Sequence, residues 1–236
     1  MTMHPLGLAE NETVLVVCAH PDDETLGAGG TIHRLASSGI TIHVLAVCCY
    51  PHSGSGTPSD TGIRAKEFEA ACDALGVANR LIAWTDDDRA RTPGLHMRDL
   101  VTLIDSGSDI SLAATRPAAL LIPSASSFHQ DHQAVHQAGI AAARPAGITG
   151  FAPRLVLGFT GPEDGWSTTP DHRPVFVDTT ASWPAKEQAL QAHHSQLRDD
   201  THPRSISQIR AIDTAAGTTV GFGMAERFAP YRIACP

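Results

Sequence analysis

A histidine and three consecutive carboxylates follow the first apolar run of the chain, at His20, Asp22, Asp23 and Glu24. One acid here would be explained as a favourable charge in the first turn of a helix, which contributes about 0.3–1 kcal/mol. Three adjacent carboxylates, however, repel one another and raise one another's pKa unless a cation lies among them. The cluster therefore predicts a bound cation, and a divalent metal ion is the simplest one.

The spacing of these side chains suits a metal centre. His20 and Asp23 lie three residues apart across a predicted turn from strand to helix, so a nitrogen and an oxygen can face one ion. Such a pair is typical of zinc, and a catalytic zinc site uses a third protein ligand and keeps one position open. A second group of candidate ligands, His129-Gln130-Asp131-His132, follows a later apolar run. We expect this distant segment to complete the site.

A dinucleotide-binding turn is a weaker interpretation of the same stretch. The glycines that follow the acids, Gly27, Gly29 and Gly30, do not have the spacing G-x-G-x-x-G at the turn. The three carboxylates would also repel a pyrophosphate bound at the start of the helix. We expect these glycines to allow close packing of the helix instead.

Two other catalytic arrangements are also weaker. His132 and His136 lie four residues apart and could bind a metal as a unit, but the glutamate of H-E-x-x-H is missing. A nucleophilic serine would be expected in a G-x-S-x-G elbow after a strand, and no strand is followed by one. Ser124, Ser126 and Ser127 are therefore interpreted as loop residues.

Alternating strands and helices must position these side chains. The runs 14–19, 40–48, 81–84, 118–122 and 155–159 predict strands, and 175–177 predicts a further one. The patterns at 26–37, 63–75, 95–113, 131–143 and 185–196 predict helices. Such alternation, with nearly continuous apolar strands, indicates an α/β fold with a mostly parallel, Rossmann-like sheet covered by helices on both faces. In this fold the loops after the strands form the ligand crevice. The loops 51–61 and 161–173 are candidate lids.

Length and composition limit the possible partners. We assign all 236 residues, 1–236, to one domain, because no repeat or long linker divides the chain. With 17 Lys and Arg against 25 Asp and Glu, the net charge of −8 argues against nucleic acid as a partner. No apolar run approaches the ~18 residues of a membrane helix, so we expect a soluble cytoplasmic protein without a membrane partner. The five cysteines are odd in number and lack a CxxC pair, which predicts buried free thiols.

The chain resembles the LmbE-like, or PIG-L, family of zinc-dependent N-acetylglucosaminyl deacetylases. The family's hallmarks, A-H-P-D-D-E and H-x-D-H, are present at residues 19–24 and 129–132. Weaker similarities extend over nearly the whole chain, and they include Arg64 and Glu67, Lys186, the segment His193-His194-Ser195-Gln196, and Glu226-Arg227-Phe228.

The resemblance implies that one Zn²⁺ ion is bound by His20, Asp23 and His132, with Asp22 as general base. A zinc ion with three protein ligands lowers the pKa of a bound water to roughly 7, and an adjacent unligated carboxylate can take its proton. Glu24 is expected to cap the helix and orient its neighbours rather than to bind the ion.

The resemblance also implies roles for three further side chains. His129 assists as electrophile or acid and is oriented by Asp131, and Arg64 contacts the substrate. Two departures affect the substrate: Asp86-Asp87-Asp88 replaces a Pro-Asp-Gly-like turn, and Ser127 stands where some relatives carry a tyrosine.

The predicted function is metal-dependent removal of an acetyl group from an N-acetyl amino sugar. The substrate would be a small conjugate of the N-acetylglucosamine type, such as a thiol-cofactor precursor or a natural-product glycoside. One alternative is an amidase that cleaves a larger N-acyl or S-conjugate with the same zinc chemistry. A more distant alternative is a non-catalytic sugar- or metal-binding module, against which Asp22 argues because a binding module does not need it to hold the ion.

Overall fold

The computed structural model describes residues 5–51, 60–145, 150–166 and 173–235. Within these residues the strands are β1 (Thr13–Cys18), β2 (Thr41–Cys49), β3 (Asn79–Thr85), β4 (Ala119–Pro123), β5 (Leu155–Phe159), β6 (Val175–Asp178) and β7 (Ala225–Ile233). The α-helices are α1 (Asp23–Ala36), α2 (Thr61–Leu75), α3 (Asp88–Arg91), α4 (Met97–Asp105), α5 (Leu112–Thr115), α6 (Gln130–Ala142), α7 (Trp183–Ala192) and α8 (Ile206–Thr218).

The strands form one sheet in the order β3-β2-β1-β4-β5-β7-β6. Strands β1 to β5 are parallel, and β7 runs antiparallel between β5 and β6. From β1 the chain proceeds outward to β2 and β3, then returns to place β4 on the other side of β1. The carboxyl ends of β1 and β4 therefore lie side by side where the strand order reverses, which is where open α/β sheets bind their ligands.

Both faces of the sheet are buried. Along β1, Val14 and Val16 belong to one apolar cluster with α1 and α2, whereas Leu15 and Val17 belong to a second cluster with α4 and α6. This alternation follows from the two-residue repeat of a strand. The predicted α/β class, with a mostly parallel sheet and helices on both faces, is confirmed.

Two regions differ from the sequence prediction. The single helix predicted over 95–113 is wrong, because α4 ends at Asp105 and α5 begins only at Leu112. The intervening Ser-Gly-Ser-Asp segment, 106–109, has low helix propensity. Helix α8 and strand β7 were not predicted, and β7 contains Pro230 and charged residues that interrupt its apolar pattern.

Other sequence predictions have mixed outcomes. Cys18, Cys48, Cys49 and Cys72 are buried and Cys235 is exposed, all as free thiols, so free thiols are confirmed and complete burial is not. None of the helices that the structure describes is long and apolar enough to cross a lipid bilayer. Most of the candidate lids, at 52–59 and 167–172, lies outside the described residues, and the assignment of 1–236 to one domain stays a prediction.

Candidate metal centre

The adjacent ends of β1 and β4 bring the two predicted ligand segments together. The first segment lies between the end of β1 and Asp23, the first residue of α1. The second lies between the end of β4 and Gln130, the first residue of α6. Because β1 and β4 pair in parallel, both segments leave the sheet at the same edge.

Three of the predicted ligands converge at this edge. The candidate ligand atoms of His20, Asp23 and His132 all lie within 4.8 Å of one another, and all three residues are buried. Asp23 lies between the two rings, with Oδ1 3.2 Å from His132 Nε2 and Oδ2 3.6 Å from His20 Nδ1. Burial raises the pKa of Asp23, but the two histidines outweigh it and hold that pKa well below its usual value. Two imidazoles and one ionised carboxylate fit a zinc ion.

Asp131 contacts His20 with its side chain. Its Oδ2 lies 2.9 Å from His20 Nε2, which leaves Nδ1 of His20 on the side of Asp23. Burial would lower the pKa of His20, but the hydrogen bonds to Asp131 and Asp23 raise it to about 9. Ligand atoms of His20, His129 and Asp131 also lie within 4.8 Å of one another, so two candidate ligand sets share His20.

His129 forms the third corner of a histidine cluster. Its ring centroid lies 5.0 Å from that of His20 and 4.9 Å from that of His132. Burial lowers the pKa of His129, and the two neighbouring histidines lower it further. The backbone N–H of Asp131 donates to His129 Nδ1 at 3.2 Å, so the neutral ring carries its proton on Nε2. Asp131 therefore contacts His129 through its backbone, whereas its carboxylate contacts His20.

Asp22 occupies a strained turn next to the converging ligands. Its φ of 129° lies in a region that residues other than glycine rarely adopt, and strain of this kind costs about 1–3 kcal/mol. The backbone N–H of Asp22 donates to Glu24 Oε2 at 3.1 Å. Burial raises the pKa of Asp22, and Arg204, 3.4 Å away, lowers it in part. A buried carboxylate is thus held beside the ligands.

Glu24 and Arg64 both hydrogen-bond to the backbone of this turn. Glu24 is fully buried and also contacts His193 Nε2 at 3.2 Å and the hydroxyl of Thr25 at 2.7 Å. Arg64 donates to the backbone oxygens of Pro21 and Tyr50 at 3.3 and 3.1 Å. Arg64 thereby ties α2 to both the turn and the end of β2, and its predicted contact with substrate stays a prediction.

Some polar residues that the sequence singled out have other partners. Asp87 accepts a hydrogen bond from the backbone of Ala90 at the start of α3, and Asp86 accepts one from the Thr61 hydroxyl. His136 lies 2.9 Å from the Pro123 carbonyl, and the metal-ligand groups found among the described residues do not include it. The pairing of His132 with His136 as one metal site is therefore not supported.

Sequence patterns did not identify the roles of four residues around this site. Tyr50 places its hydroxyl 3.5 Å from Asp131, and Arg204 pairs with Glu163 at 2.6 Å as well as with Asp22. Asp164, which is buried, accepts hydrogen bonds from Ser127 and Gly161. These residues come from loops after other strands or before α8, and only the three-dimensional fold brings them to the predicted metal ligands.

Comparison with known proteins agrees with the motifs and the fold. The sequence model of the family described as "PIG-L: GlcNAc-PI de-N-acetylase" matches residues 15–143. The chain is 26% identical to a 1D-myo-inositol 2-acetamido-2-deoxy-alpha-D-glucopyranoside deacetylase of Salinispora arenicola, over 82% of this chain and 79% of that one. It is 28% identical to a diacetylchitobiose deacetylase of Thermococcus kodakarensis, over 92% and 83%.

A solved structure is also similar. A conserved protein of Thermus thermophilus superimposes with a TM-score of 0.73 over 95% of this chain and 97% of that one, at 24% identity, which shows the shared fold. The family match covers more than half of the chain and includes both ligand segments, from residue 15 to residue 143. The chain therefore belongs to the PIG-L family.

Proposed function

We propose that this protein is a zinc-dependent N-deacetylase that releases acetate from an N-acetylglucosamine-type amino sugar. The observation that carries the proposal is the convergence of His20, Asp23 and His132 beside the buried carboxylate of Asp22, which belongs to neither candidate ligand group. A metal-binding module would need the three ligands alone. A hydrolase also needs a group that accepts a proton next to them.

The relatives support the substrate class. The two curated relatives are named as deacetylases of an N-acetylglucosamine-inositol and of diacetylchitobiose, and each match covers more than three quarters of both chains. Both named substrates contain an acetamido group on a glucosamine ring. We infer that an N-acetyl amino sugar with a further substituent is the substrate of this chain.

Each side chain of the site would have a separate role in the reaction. A zinc ion held by His20, Asp23 and His132 would supply a Lewis acid for the acetyl carbonyl and would lower the pKa of a bound water. Asp22 would accept the proton of the attacking water. Burial raises the pKa of this carboxylate, which brings its basicity closer to that needed near neutral pH.

His129 would stabilise the negative charge that develops on the acetyl oxygen. In its neutral form the ring presents the Nε2–H group as a donor, because Nδ1 accepts from the backbone of Asp131. A fixed donor aimed at a developing oxyanion is among the strongest contributions to hydrolysis of this kind. Asp22, which holds the proton taken from water, would donate it to the amide nitrogen as the C–N bond breaks, so that acetate and the free amine are released.

Acetate release from a panel of N-acetyl amino sugars and their conjugates tests the proposal. Zinc-loaded protein should release acetate, and Asp22→Asn should retain bound zinc but lose about 10²–10⁴-fold in kcat/KM, the usual contribution of a general base. Zinc content is measured by elemental analysis. His132→Ala should lose the metal itself.

Exposed Asp109 provides the matched control, because Asp109→Asn makes the same chemical change away from the ligand cluster. It should retain the parental rate. If Asp22→Asn retained that rate as well, the assignment of Asp22 would be wrong. If no N-acetyl amino sugar yielded acetate, the proposed substrate class would be wrong.

A further inference from the structure

Two exposed aromatic side chains stand together at the rim of the metal centre. Phe128 and Trp166 are 40% and 69% exposed, and their ring centroids lie 4.9 Å apart with an interplanar angle of 38°. Phe128 directly precedes His129, and both line a small cavity with Asp23 and His132. The aromatic pair is therefore continuous with the proposed catalytic site.

A buried carboxylate fixes the two segments that carry these rings. Asp164 accepts hydrogen bonds from the backbone N–H of Phe128 at 3.3 Å and of Gly161 at 2.9 Å. Asp164 also lies in the same short 3₁₀ helix as Trp166, Pro162–Trp166. The loop after β4 and the loop after β5 are thus joined by one side chain, which holds the aromatic pair at the rim.

Charged groups border the aromatic pair. Glu163 pairs with Arg204 at 2.6 Å and approaches His202 at 3.7 Å, and Glu163 and Arg204 line the same cavity as Phe128. An acyl chain lying there would remove these charged groups from water and would offer them no hydrogen bonds. A sugar ring matches the surface better, since its C–H face can lie on an aromatic ring while its hydroxyls reach charged groups at the edge.

We propose that Phe128 and Trp166 form a subsite for a second sugar ring, attached to the N-acetylglucosamine-type ring whose acetyl group is removed. This inference rests on the proposed function and extends it to the substrate's substituent. It makes the substrate a disaccharide-like conjugate rather than a single amino sugar.

The test compares the binding of N,N′-diacetylchitobiose and N-acetylglucosamine by isothermal titration calorimetry. Zinc-loaded Asp22→Asn protein is used so that the ligands are not consumed. The disaccharide should bind about tenfold or more tightly than the monosaccharide, as expected for an aromatic contact of about 1.4 kcal/mol. Adding Trp166→Ala or Phe128→Ala should remove most of this preference.

Phe222 is the matched control, because it is also 40% exposed and lines a different surface with Pro5 and Arg34. Phe222→Ala should keep the preference for the disaccharide. Equal binding of the two sugars, or an unchanged preference in Trp166→Ala, would overturn the subsite. A preference that depends on Trp166, in a parental protein that releases no acetate, would instead count against the proposed deacetylase function.

A separate observation concerns how His132 is oriented. Ser127 Oγ lies 3.1 Å from His132 Nδ1 and 2.9 Å from Asp164 Oδ1, and Ser127 and Asp164 are both buried. An ionised carboxylate only accepts, so the single hydroxyl proton of Ser127 goes to Asp164. Ser127 Oγ must then accept the Nδ1–H of His132. In a neutral His132 that binds the ion, the lone pair would thereby lie on Nε2, the nitrogen that faces Asp23 at 3.2 Å.

We infer that Ser127 and Asp164 are positioning residues for the metal ligand His132. Ser127→Ala should weaken zinc binding about 10- to 100-fold in a chelator competition, which is the usual effect of removing the partner of a metal-bound histidine. In nitrogen-15 NMR spectra of the zinc-loaded protein, the signal of the hydrogen-bonded Nδ1–H group of His132 should change as well. A purely structural role for Ser127 would lower the melting temperature without changing this signal.

The neighbouring serine supplies the control. Ser126 Oγ contacts Ser124 rather than His132, so Ser126→Ala should keep the parental zinc affinity. Parental zinc affinity in folded Ser127→Ala protein would overturn the positioning role.

Discussion

Two buried charged clusters contact helix α1, and the first contains its own cation. Glu226 accepts hydrogen bonds from the backbone N–H groups of Gly30 and Thr31, at 2.8 and 2.7 Å, in the middle of the helix. Lys186, which is fully buried, places Nζ 2.7 Å from both Glu226 and Asp213. The ammonium group lies between the two carboxylates and offsets their repulsion. We call this set of Lys186, Asp213 and Glu226 the lysine cluster.

The second cluster lies at the N-terminal end of α1 and consists of groups that could hold a metal ion. Its central carboxylate, Asp23, lies between the rings of His20 and His132. Its neighbour Asp22 has a strained backbone and a pKa raised by burial. Buried charge by itself therefore does not indicate function. The lysine cluster contains its own cation and needs no ligand, whereas the convergence of His20, Asp23 and His132 beside a strained carboxylate could hold an ion.

The largest stability effect expected from this comparison comes from removing the internal cation. Lys186→Met should lower the free energy of unfolding by about 3–5 kcal/mol, because it leaves two buried carboxylates without their partner. Urea denaturation measures the change. Lys66 is the chain's other lysine and is exposed, so Lys66→Met should stay within about 0.5 kcal/mol of the parent. A loss of less than about 1 kcal/mol in Lys186→Met would show that the lysine cluster is not the structural one.

A smaller effect should appear in the pH dependence of the same cluster. Burial raises the pKa of Asp213 to about 6, although Lys186 opposes the rise. The folded state thus binds this proton more tightly than the unfolded chain, whose aspartates titrate near 3.9. The stabilisation is complete below the unfolded pKa and is lost as the pH rises through about 6.

Denaturation of the parent and of Asp213→Asn at several pH values tests this sign. The free energy of unfolding of the parent, relative to Asp213→Asn, should fall between pH values of about 4 and 6 and change little above them. A parental stability that rises with pH relative to the variant would mean that Lys186 dominates and that the pKa of Asp213 is lowered.

The two clusters also differ in how far sequence could predict them. The candidate metal centre could be predicted because His20, Asp22 and Asp23 lie within four residues of sequence. A histidine and carboxylates rarely occur this close together without a cation. The lysine cluster joins residues 27 and 40 positions apart, and one lysine in a helical pattern is ordinarily a surface residue. Its charges become a cluster only when α7, α8 and β7 pack against α1.

Burial also decides which strands could be predicted from the sequence and which could not. Continuous apolar runs identified β1, β2, β4 and β5 because both faces of these strands are buried. The edge strand β3 is mostly half-buried, and only the short run 81–84 predicted it. Strand β7 lies near the edge of the sheet, has exposed positions and contains Pro230, so no such run marks it. The hydrogen bonds of Ser127 and Asp164 join two loops, and short-range sequence patterns carry no signal for them.

Asp22 should lower the stability of the folded protein, because its charge is buried and its backbone is strained. In metal-free protein, Asp22→Asn should raise the free energy of unfolding by about 0.5–2 kcal/mol, because it removes a buried charge that the fold disfavours. Urea denaturation in the presence of a chelator measures this gain. Asp109→Asn should give no gain, and destabilisation by Asp22→Asn would indicate that the ion pair with Arg204 outweighs the cost of burial.

The smallest effect is expected for a third group of charges, which lies on the surface. Arg80 pairs with Glu69 at 2.5 Å and with Asp73 at 2.6 Å, a charge arrangement like that of Lys186, but the two acids are 56% and 67% exposed. Water already solvates these carboxylates, so Arg80→Ala should cost only about 0.2–1 kcal/mol, and part of that loss should disappear in high salt. Urea denaturation at two salt concentrations measures both quantities. A loss as large as that of Lys186→Met would contradict the view that burial, rather than the pairing of charges, sets the strength of these clusters.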